Sequence, residues 1–333
     1  MVDKTHRETS NSFHLYWKVL LAIKSFIRKN GDPPGLVHFP VDFSGDNLNF
    51  DEEVKGEFST VAIFIDKKSV KKEIKASCSF LIEDYTRVSI LKNEVLPEDE
   101  AHFLTLYLPY CFLDIMARKE QRAISISHFA QSLDGKIATS TGNSRWISSE
   151  ENLIHAHRMR ALCDGILVGV NTLIRDEPRL TVRKVEGDNP VKIIVGNTPA
   201  SFESVKKSND KVLYLTSGNG SIDKDIEVIR HKGKGKGKGH IPPVEILKKI
   251  YKDSGIHSVY IEGGAYTTST FLQHGALDEV QLFLSPVLFG SGITNFTLPM
   301  INEVEESWHF DPYSFYTMGN GILFKGKPKL EER

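Results

Sequence analysis

The fold is decided by the stretch SVYIEGGAYTTSTFLQHG, which occupies residues 258–275. An apolar run ends in an acid and a pair of glycines, and a hydroxyl-rich helical pattern follows. A strand that leads through glycines into a helix is the repeating unit of a parallel sheet. We predict that backbone amides around Gly263 and Gly264, at the start of this helix, bind a pyrophosphate group.

Glu262 stands at the end of that strand. A carboxylate at this position is more often directed at a ligand than at the core, because burying it without a partner is costly. The alternative is a solvated acid beside a turn made of two glycines. The segment lacks the G-x-G-x-x-G spacing, so the ordinary fingerprint of a dinucleotide-binding Rossmann domain is absent.

Outward from this stretch, the same alternation extends from residue 123 to the end of the chain. Short β-branched runs alternate with helical patterns, which predicts an α/β domain with a mostly parallel sheet. Residues 1–120 differ, because an amphipathic helix over residues 12–29 precedes strands and a helix that Pro109 should kink. We therefore predict a smaller α+β N-terminal region of unknown function over residues 1–120 and the α/β domain over residues 121–330.

The composition argues against several classes of function. The 333 residues carry a formal net charge of -1, so no broad electrostatic field favours nucleic acid or an anionic membrane as a partner. The three cysteines lie far apart, which disfavours a disulfide framework and a zinc knuckle. The N-terminus has no signal-peptide core, and the longest apolar run falls short of the ~20 residues of a membrane span. We expect a cytoplasmic protein that binds a small molecule.

A low-complexity insert, HKGKGKGKGH, occupies residues 231–240. A contact with nucleic acid is one interpretation of its lysines. Alternating glycines without interleaved aromatic residues favour the other interpretation, a solvated linker between a strand and a helix. We therefore predict no nucleic-acid partner.

A second segment, GILVGVNTLIRDEPRLTVR at residues 165–183, repeats the strand-to-helix pattern. Gly169 stands at the end of its strand, where the missing side chain allows close approach of a cofactor phosphate. Asp176, Arg179 and Arg183 follow in a charged loop at the same edge of the predicted sheet. A solvated surface loop is the alternative interpretation.

A helix is predicted immediately before this second segment. Ser148 and Glu151 have capping-box spacing, so the helix should begin there. Arg160 falls on or beside its inward face, where an arginine needs a carboxylate or a phosphate as its partner; a surface salt bridge is the alternative. His155 and His157 are two residues apart on this helix and cannot face one metal ion, and no metal site is predicted.

Five segments in register resemble the reductase domain of riboflavin biosynthesis, the C-terminal half of the bifunctional deaminase/reductase. They are SLDGKIA, RWISSEE, RALCDGILVGVNTLIRDEPRLTVR, NPVKIIVG and VYIEGGAYTTSTFLQHGALDEVQLFLSPVLFGSG. The resemblance covers about residues 122–327. It implies a dihydrofolate-reductase-like, three-layer α/β fold with a mostly parallel central sheet. Residues 1–120 contain no P-C-x-x-C segment, so the zinc signature of the deaminase half is missing.

The resemblance implies an NADPH-dependent oxidoreductase, commonly a homodimer, that reduces 5-amino-6-(5-phosphoribosylamino)uracil by hydride transfer to C1′ of the ribose. It assigns the substrate phosphate and ribityl chain to Ser144, Arg160, Arg183 and the backbone near Leu180, with Glu262 also at the substrate. It assigns NADPH to Ala130, Trp146, Thr172, Asp176 and Asn197, and the pyrophosphate of NADPH to Gly263, Gly264, Ala265, Tyr266, Thr267, Thr268, Ser269 and Thr270.

Three residues are predicted to act in catalysis. Opening the ribosylamine ring requires proton movement, and we hypothesise that Lys136, with Asp176 and Glu262, supplies the polar environment for it. Asp134 lies next to a glycine and is interpreted as a tight-turn acid. Two other functions stay open: the same fold acting on another phosphorylated pyrimidine-like or pterin-like substrate, and a catalytically silent nucleotide-binding protein.

Overall fold

The computed structural model describes residues 5–31, 36–40, 60–64, 78–83, 87–94, 96–144, 147–198, 200–208, 210–218, 223–231 and 241–329. The chain divides into two compact units, Met1–Lys119 and Glu120–Arg333. Among the helices within the described ranges, none is both long enough and apolar enough to cross a membrane. The predicted linker at residues 231–240 lies outside the described residues except for His231.

The first unit combines a four-stranded sheet with helices. Its elements are α1 (Thr5–Asn30), β1 (Leu36–Pro40), β2 (Thr60–Phe64), β3 (Cys78–Glu83), β4 (Arg87–Asn93), α2 (Glu98–Tyr107), a 3-10 segment (Leu108–Phe112) and α3 (Leu113–Glu120). The strands are ordered β1-β2-β3-β4, and only the β2–β3 pair is parallel.

Two sequence patterns of the first unit match features of the structure. Tyr16, Leu20, Ile23 and Ile27 recur at helical spacing and are buried along one side of α1. The predicted kink is also present, because Pro109 lies in the 3-10 segment that separates α2 from α3. A proline there cannot donate the backbone hydrogen bond that a continuous α-helix needs.

The second unit is built on a nine-stranded sheet. Its elements are β5 (Ile124–Ser132), β6 (Lys136–Thr139), α4 (Glu150–Leu162), β7 (Gly165–Gly169), α5 (Val170–Asp176), β8 (Val191–Val195), α6 (Glu203–Lys206), β9 (Val212–Thr216), β10 (Glu227–Arg230), α7 (Pro243–Ser254), β11 (Ser258–Ile261), α8 (Ala265–Gln273), β12 (Glu279–Ser285), β13 (Gly292–Thr294), a 3-10 turn (Val304–Glu306), β14 (Phe310–Met318) and β15 (Gly321–Pro328). The sheet order is β10-β9-β8-β7-β11-β5-β12-β15-β14, and β6 pairs with β13 separately.

The sheet is parallel except for its last two strands. The seven strands from β10 to β12 pair in parallel, while β15 and β14 close the sheet as an antiparallel pair. One face packs against α7 and α8, and the other packs against α5 and α6. On that second face, α4 contacts the sheet through His155, which hydrogen-bonds Gln281 of β12. The predicted three-layer α/β fold is therefore confirmed.

The start of α4 differs by one residue from the prediction. The N-cap is Ser149, whose hydroxyl accepts a hydrogen bond from the backbone N–H of Asn152 at 3.1 Å. Ser148 instead accepts a hydrogen bond from the side-chain amide of Asn152 at 2.7 Å. Asn152 therefore donates to both adjacent serines, through its backbone to the N-cap and through its side chain to the residue before it.

Candidate active site

A cavity of about 680 Å³ opens at the carboxyl edge of the parallel sheet in the second unit. It is bounded by the ends of β5, β7 and β8, one face of α4 and the start of α8. The residues predicted for the site that line this cavity are Ala130, Ser144, Arg160, Gly169, Thr172, Asp176, Asn197, Glu262, Gly264, Ala265, Tyr266, Thr267 and Thr270. The parallel strands bring these segments to one edge, although they are spread over 140 residues of sequence, roughly.

Some predicted residues do not line the cavity. They are Lys136, Leu180, Arg183, Gly263, Thr268 and Ser269. Thr268 and Ser269 are buried on the other side of α8, and the hydroxyl of Thr268 donates to the carbonyl of Gly263. Trp146 lies outside the described residues.

Arg160 and Glu262 form an ion pair in the cavity wall. Nε and Nη2 of Arg160 donate to the two carboxylate oxygens of Glu262 at 2.7 Å and 2.6 Å. A third donor, Nη1, reaches the carbonyl of Thr181 at 2.9 Å. The two side chains are only 13% and 18% exposed. The carboxylate at the strand end is therefore paired rather than solvated, and the pair holds Arg160 at the cavity with hydrogen-bond donors to spare.

The loop after α5 is fastened beside this pair. Leu180 is buried and has φ 54°, the left-handed region that a residue with a branched side chain rarely adopts. The backbone N–H of Arg183 donates to Nδ1 of His157 at 2.9 Å, and its guanidinium donates to the hydroxyl of Thr181 at 2.5 Å. Burial and the nearby charges of Arg160 and Arg179 lower the pKa of Arg183.

The start of α8, two residues after Glu262, also lines the cavity. Gly264 is the N-cap and has no side chain with which to cap the helix, and the positive end of the helix dipole favours an anion there. Its own N–H donates to the hydroxyl of Thr172 at 3.2 Å. Ala265, Tyr266 and Thr267 line the cavity here. An uncapped helix start with small residues suits a pyrophosphate.

Gly169 and Gly263 lie where two strand-to-helix turns approach each other closely, one from β7 into α5 and one from β11 into α8. A Cβ on Gly263 would lie 2.9 Å from the backbone nitrogen of Gly169 and 3.0 Å from Cα of Val168. A Cβ on Gly169 would lie 2.6 Å from the hydroxyl of Thr267. The space beside each glycine is thus filled by the protein itself. Close packing of the turns gives a sufficient reason for both glycines, and Gly169 still lines the cavity.

The turn before Lys136 is held by Asp134. Its carboxylate accepts hydrogen bonds from the Ser132 hydroxyl and from the backbone amides of Phe289 and Gly290, at 2.5, 3.1 and 2.7 Å. These bonds lower the pKa of Asp134, with the Ser132 hydroxyl contributing most. The interpretation of Asp134 as a turn acid agrees with this arrangement. Lys136 begins β6, whose next two residues, unlike Lys136 itself, line the cavity.

The cavity contains polar residues that the sequence reasoning did not select. They include His128 on β5, Asn152 on α4 and Arg175 on α5. His128 precedes Ala130 by two residues, so the period of a strand places both on one face. Asn152 lies eight residues before Arg160 on a helical face. From these two spacings, His128 and Asn152 could have been predicted to lie beside the residues selected for the site. Arg175 pairs with Asp176 at 2.9 Å and is largely exposed.

An open, mostly parallel sheet with a cavity at the carboxyl edge of its strands defines an α/β protein of the class in which ligands commonly bind at that edge. The model of the RibD C-terminal domain matches residues 124–324. The chain belongs to the RibD C-terminal domain family, and the predicted resemblance is confirmed.

Two curated relatives show the extent of the likeness. The chain is 31% identical over 209 residues to the 2,5-diamino-6-ribosylamino-4(3H)-pyrimidinone 5′-phosphate reductase of Methanothermobacter thermautotrophicus, covering 61% of this chain and 96% of that protein. It is 34% identical over 197 residues to the riboflavin biosynthesis protein RibD of Aquifex aeolicus, covering 56% of this chain and 53% of that protein. This chain therefore spans about half the length of the RibD relative and nearly all of the methanogen reductase.

The chain also superimposes on solved structures of similar proteins. A deaminase/5-amino-6-(5-phosphoribosylamino)uracil reductase from Thermotoga maritima superimposes with a TM-score of 0.53 at 26% identity, covering 72% of this chain and 64% of that chain. RibD of Acinetobacter baumannii superimposes with a TM-score of 0.61 over 96% of this chain and 99% of that chain. The latter is 16% identical, so it shows a shared fold.

Proposed function

We propose that this chain is an NADPH-dependent reductase that converts a ribosylamino-pyrimidine 5′-phosphate into the ribitylamino product, a step of riboflavin biosynthesis. The substrate predicted from the sequence is 5-amino-6-(5-phosphoribosylamino)uracil. The observation that carries the proposal is one cavity that is lined both by the arginine–glutamate pair and by the helix start at Gly264, which has no side-chain cap. The first suits a phosphorylated sugar, and the second suits the pyrophosphate of a dinucleotide.

We propose that arginines of the site bind the phosphate of the substrate. Arg160, Arg179 and Arg183 carry three positive charges, and Glu262 offsets one of them. The remaining positive charge favours a phosphate of charge near -2. Thr181 connects two of these arginines. Its carbonyl accepts a hydrogen bond from Arg160, and its hydroxyl accepts one from Arg183. We propose that Ser144 and the backbone near Leu180 complete this binding site.

The cofactor would be held by the start of α8 and by residues of other elements that line the cavity. We propose that Gly264 to Thr270 bind the pyrophosphate of NADPH, and that Ala130, Thr172, Asp176 and Asn197 contact the rest of it. The side chain of Asn197 is fixed for this, because its carbonyl oxygen accepts hydrogen bonds from Thr216 and Ser217 at 2.9–3.0 Å. NADPH supplies a hydride when it is bound.

The protein's own part in the reaction is to move a proton. The C1′–O4′ bond of the ribose breaks, the ring oxygen takes a proton, and C1′ takes the hydride. We propose that Glu262, anchored by Arg160, and Asp176 shape the polar environment of this step. Lys136 is proposed as the third participant, which requires its side chain to reach the substrate from the edge of the cavity.

The proposal is tested by following NADPH absorbance with purified protein and freshly prepared 5-amino-6-(5-phosphoribosylamino)uracil. NADH in place of NADPH and dihydrofolate in place of the substrate are the controls. Substrate-dependent loss of NADPH is expected, and Lys136→Met should lower turnover more than NADPH affinity. NADPH binding without turnover on any phosphorylated pyrimidine would overturn the proposal and favour the silent nucleotide-binding alternative.

We further propose a homodimer formed through the second unit and a cytoplasmic location. Strand β14 is an edge of the nine-stranded sheet. On one face of the β14–β15 hairpin, Tyr313, Phe315 and Ile322 are 59%, 60% and 46% exposed, and Phe324 packs between the first two. An apolar face on an edge strand favours pairing with a second copy. Residues 121–330 are proposed to form the reductase domain, with residues 1–120 a separate region of unknown function.

A further inference from the structure

The loop from Leu180 to Arg183, which the proposed function assigns to the substrate phosphate, has a conformation that needs support. Leu180 is buried at φ 54°, in the left-handed region that disfavours a residue with a side chain. The four residues belong to no helix or strand, so no ladder of backbone hydrogen bonds holds them. Their hydrogen bonds to the rest of the described chain come from side chains outside the loop.

Two neighbouring N–H groups of the loop each donate to a side-chain acceptor. The N–H of Arg183 donates to Nδ1 of His157 at 2.9 Å. The N–H of Val182 donates to Oδ1 of Asn189 at 2.7 Å. His157 belongs to α4, whereas Asn189 follows the loop in the sequence. Two separate parts of the chain therefore hold consecutive residues, which restricts both the position and the orientation of this backbone.

The contact with the loop defines the protonation state of His157. A backbone N–H can only donate, so Nδ1 is unprotonated and the proton of the neutral ring lies on Nε2. Burial, followed by the charges of Arg160 and Arg183, lowers the pKa of His157 to about 4, so the ring keeps this acceptor at physiological pH. His157 and Arg160 are three residues apart, so one face of α4 carries both an arginine of the site and the acceptor that holds the loop.

The amide of Asn189 is oriented by an acid that a buried lysine holds. Nδ2 of Asn189 donates to Oδ1 of Asp210 at 3.3 Å, and Oδ2 of Asp210 pairs with Nζ of Lys192 at 3.0 Å. A carboxylate only accepts hydrogen bonds, so the amide must direct its oxygen to the N–H of Val182. Lys192 lies on β8 and is fully buried, and its Nζ also donates to the carbonyl of Val205 at 2.6 Å. These contacts connect the loop to the sheet.

The position of the loop determines where two arginines lie. The carbonyl of Thr181 accepts a hydrogen bond from Arg160, and its hydroxyl accepts one from Arg183. Arg160 has a second anchor in Glu262, whereas Arg183 is an exposed residue of the loop itself. A displaced loop should therefore move the guanidinium of Arg183 more than that of Arg160.

We infer that His157 and Asn189 are positioning residues that hold the Leu180–Arg183 loop in the form that binds the 5′-phosphate of the substrate. The inference rests on the proposed function. Neither side chain lines the cavity, so each acts through the loop. A loop that is already ordered spares the substrate the entropy of ordering it. Loss of either acceptor should therefore weaken the recognition of the phosphate in particular.

The test compares 5-amino-6-(5-phosphoribosylamino)uracil with the same compound without its 5′-phosphate. The measured quantity is the ratio of kcat/KM for the two compounds at saturating NADPH. His157→Leu and Asn189→Leu put a methyl group where the acceptor was, and each should lower this ratio about tenfold, because a charge-assisted contact to the phosphate is misplaced. Asn189 is exposed, so its substitution should leave the protein folded.

His157→Asn is the rescue variant. The Oδ1 atom of asparagine and the Nδ1 atom of histidine are both two bonds from Cβ, so the asparagine can accept the same N–H. It should restore most of the ratio that His157→Leu loses. A role in stability alone would not distinguish the phosphorylated compound from the unphosphorylated one.

His155→Leu is the matched control. His155 is buried on the same helix, but its hydrogen-bond partner is Gln281 of β12, and it does not line the cavity. Its substitution should lower the free energy of unfolding, as His157→Leu does, and leave the ratio unchanged. Urea unfolding and the affinity for NADPH identify any variant that fails to fold.

Equilibrium binding separates this inference from the proposed function. Calorimetric titration of both compounds in the presence of NADP⁺ measures what the 5′-phosphate adds to affinity without turnover. An affinity ratio that falls about tenfold in His157→Leu and Asn189→Leu, and recovers in His157→Asn, would support the inference whatever the rate of reduction. A wild type that binds both compounds equally, or variants that keep the wild-type ratio, would overturn it while the reductase activity stands.

Discussion

The ion pair of Arg160 and Glu262 joins stability to function at the scale of single residues. Both charges have lost most of their water, so each depends on the other for compensation. The pair also turns a buried arginine into a positioned donor at the cavity edge. Because Glu262 both compensates the charge of Arg160 and positions its side chain, even an isosteric substitution of Glu262 should lower the stability of the protein.

Glu262→Gln should destabilise the protein by about 2–3 kcal/mol, because it leaves the Arg160 guanidinium buried without a countercharge. The free energy of unfolding from urea titration measures this. Glu150→Gln is the control, since Glu150 pairs with Lys184 at the same 2.6 Å but the two side chains are 63% and 35% exposed. Its cost should stay below about 1 kcal/mol. Equal costs for the two variants would contradict the prediction.

Three buried histidines should make the second unit sensitive to mild acid. Burial lowers the pKa of His128 and His157 from 6.5 to about 4, and it lowers the pKa of His155 as well. Between these values the unfolded chain binds more protons than the folded one, so stability falls as the pH drops from 6.5 towards 4. Near pH 5 unfolding should take up between two and three protons, roughly, at these sites.

The slope of unfolding free energy against pH, between pH 6.5 and 5, measures that uptake. His157→Gln should reduce the slope by about one proton, because it removes one of the three groups. A slope that the substitution leaves unchanged would show that His157 titrates normally in the folded protein.

At the scale of elements, the crossing of two strand-to-helix turns sets the shape of the cavity edge. The turn from β7 into α5 and the turn from β11 into α8 approach within backbone contact at Gly169 and Gly263. Adjacent strands of a parallel sheet bring successive turns to the same edge, and side chains there would force them apart. The helix start at Gly264 depends on this contact for its position.

Two neighbouring glycines should therefore respond differently to alanine. Gly263→Ala should destabilise the protein by about 1–3 kcal/mol, because its Cβ would meet backbone atoms at 2.9–3.0 Å that cannot move aside. Gly264→Ala should cost less than about 1 kcal/mol, since the nearest atom is the Thr172 hydroxyl at 3.4 Å. It should nevertheless weaken NADPH binding. Urea unfolding and a fluorescence titration with NADPH measure the two effects, and a reversed order of stabilities would refute the packing argument.

At the scale of the whole molecule, the exposed face of the β14–β15 hairpin predicts self-association. Phe315→Asp should shift the protein from dimer to monomer in sedimentation velocity, because it places a charge among apolar side chains that a partner would cover. Ser314→Asp is the control, since it adds the same charge at the residue before Phe315, whose side chain is on the opposite face of β14. A wild-type monomer, or equal effects of both variants, would contradict the proposed interface.

Much of this architecture follows from local patterns in the sequence. The strands of the parallel sheet are short β-branched runs, and glycines end several of them, so both the fold class and the edge that carries the cavity could be predicted. Arg160 and Glu262 were also recognisable, because a charge at an inward or strand-end position requires a partner. Periodicity could not say that these two residues are each other's partner.

The sequence by itself determined the fold class, the family and some of the residues that line the cavity. Only the tertiary structure decided which polar groups meet, because hydrogen-bond pairing depends on distances between segments that are far apart in the chain. The contacts from Lys325 through Glu279 and Gln281 to His155 join β15, β12 and α4, which meet only in the folded protein. Helical periodicity could place His155 on one face of α4, but its hydrogen-bond partner Gln281 lies 126 positions away in the sequence, and only the fold brings the two side chains together.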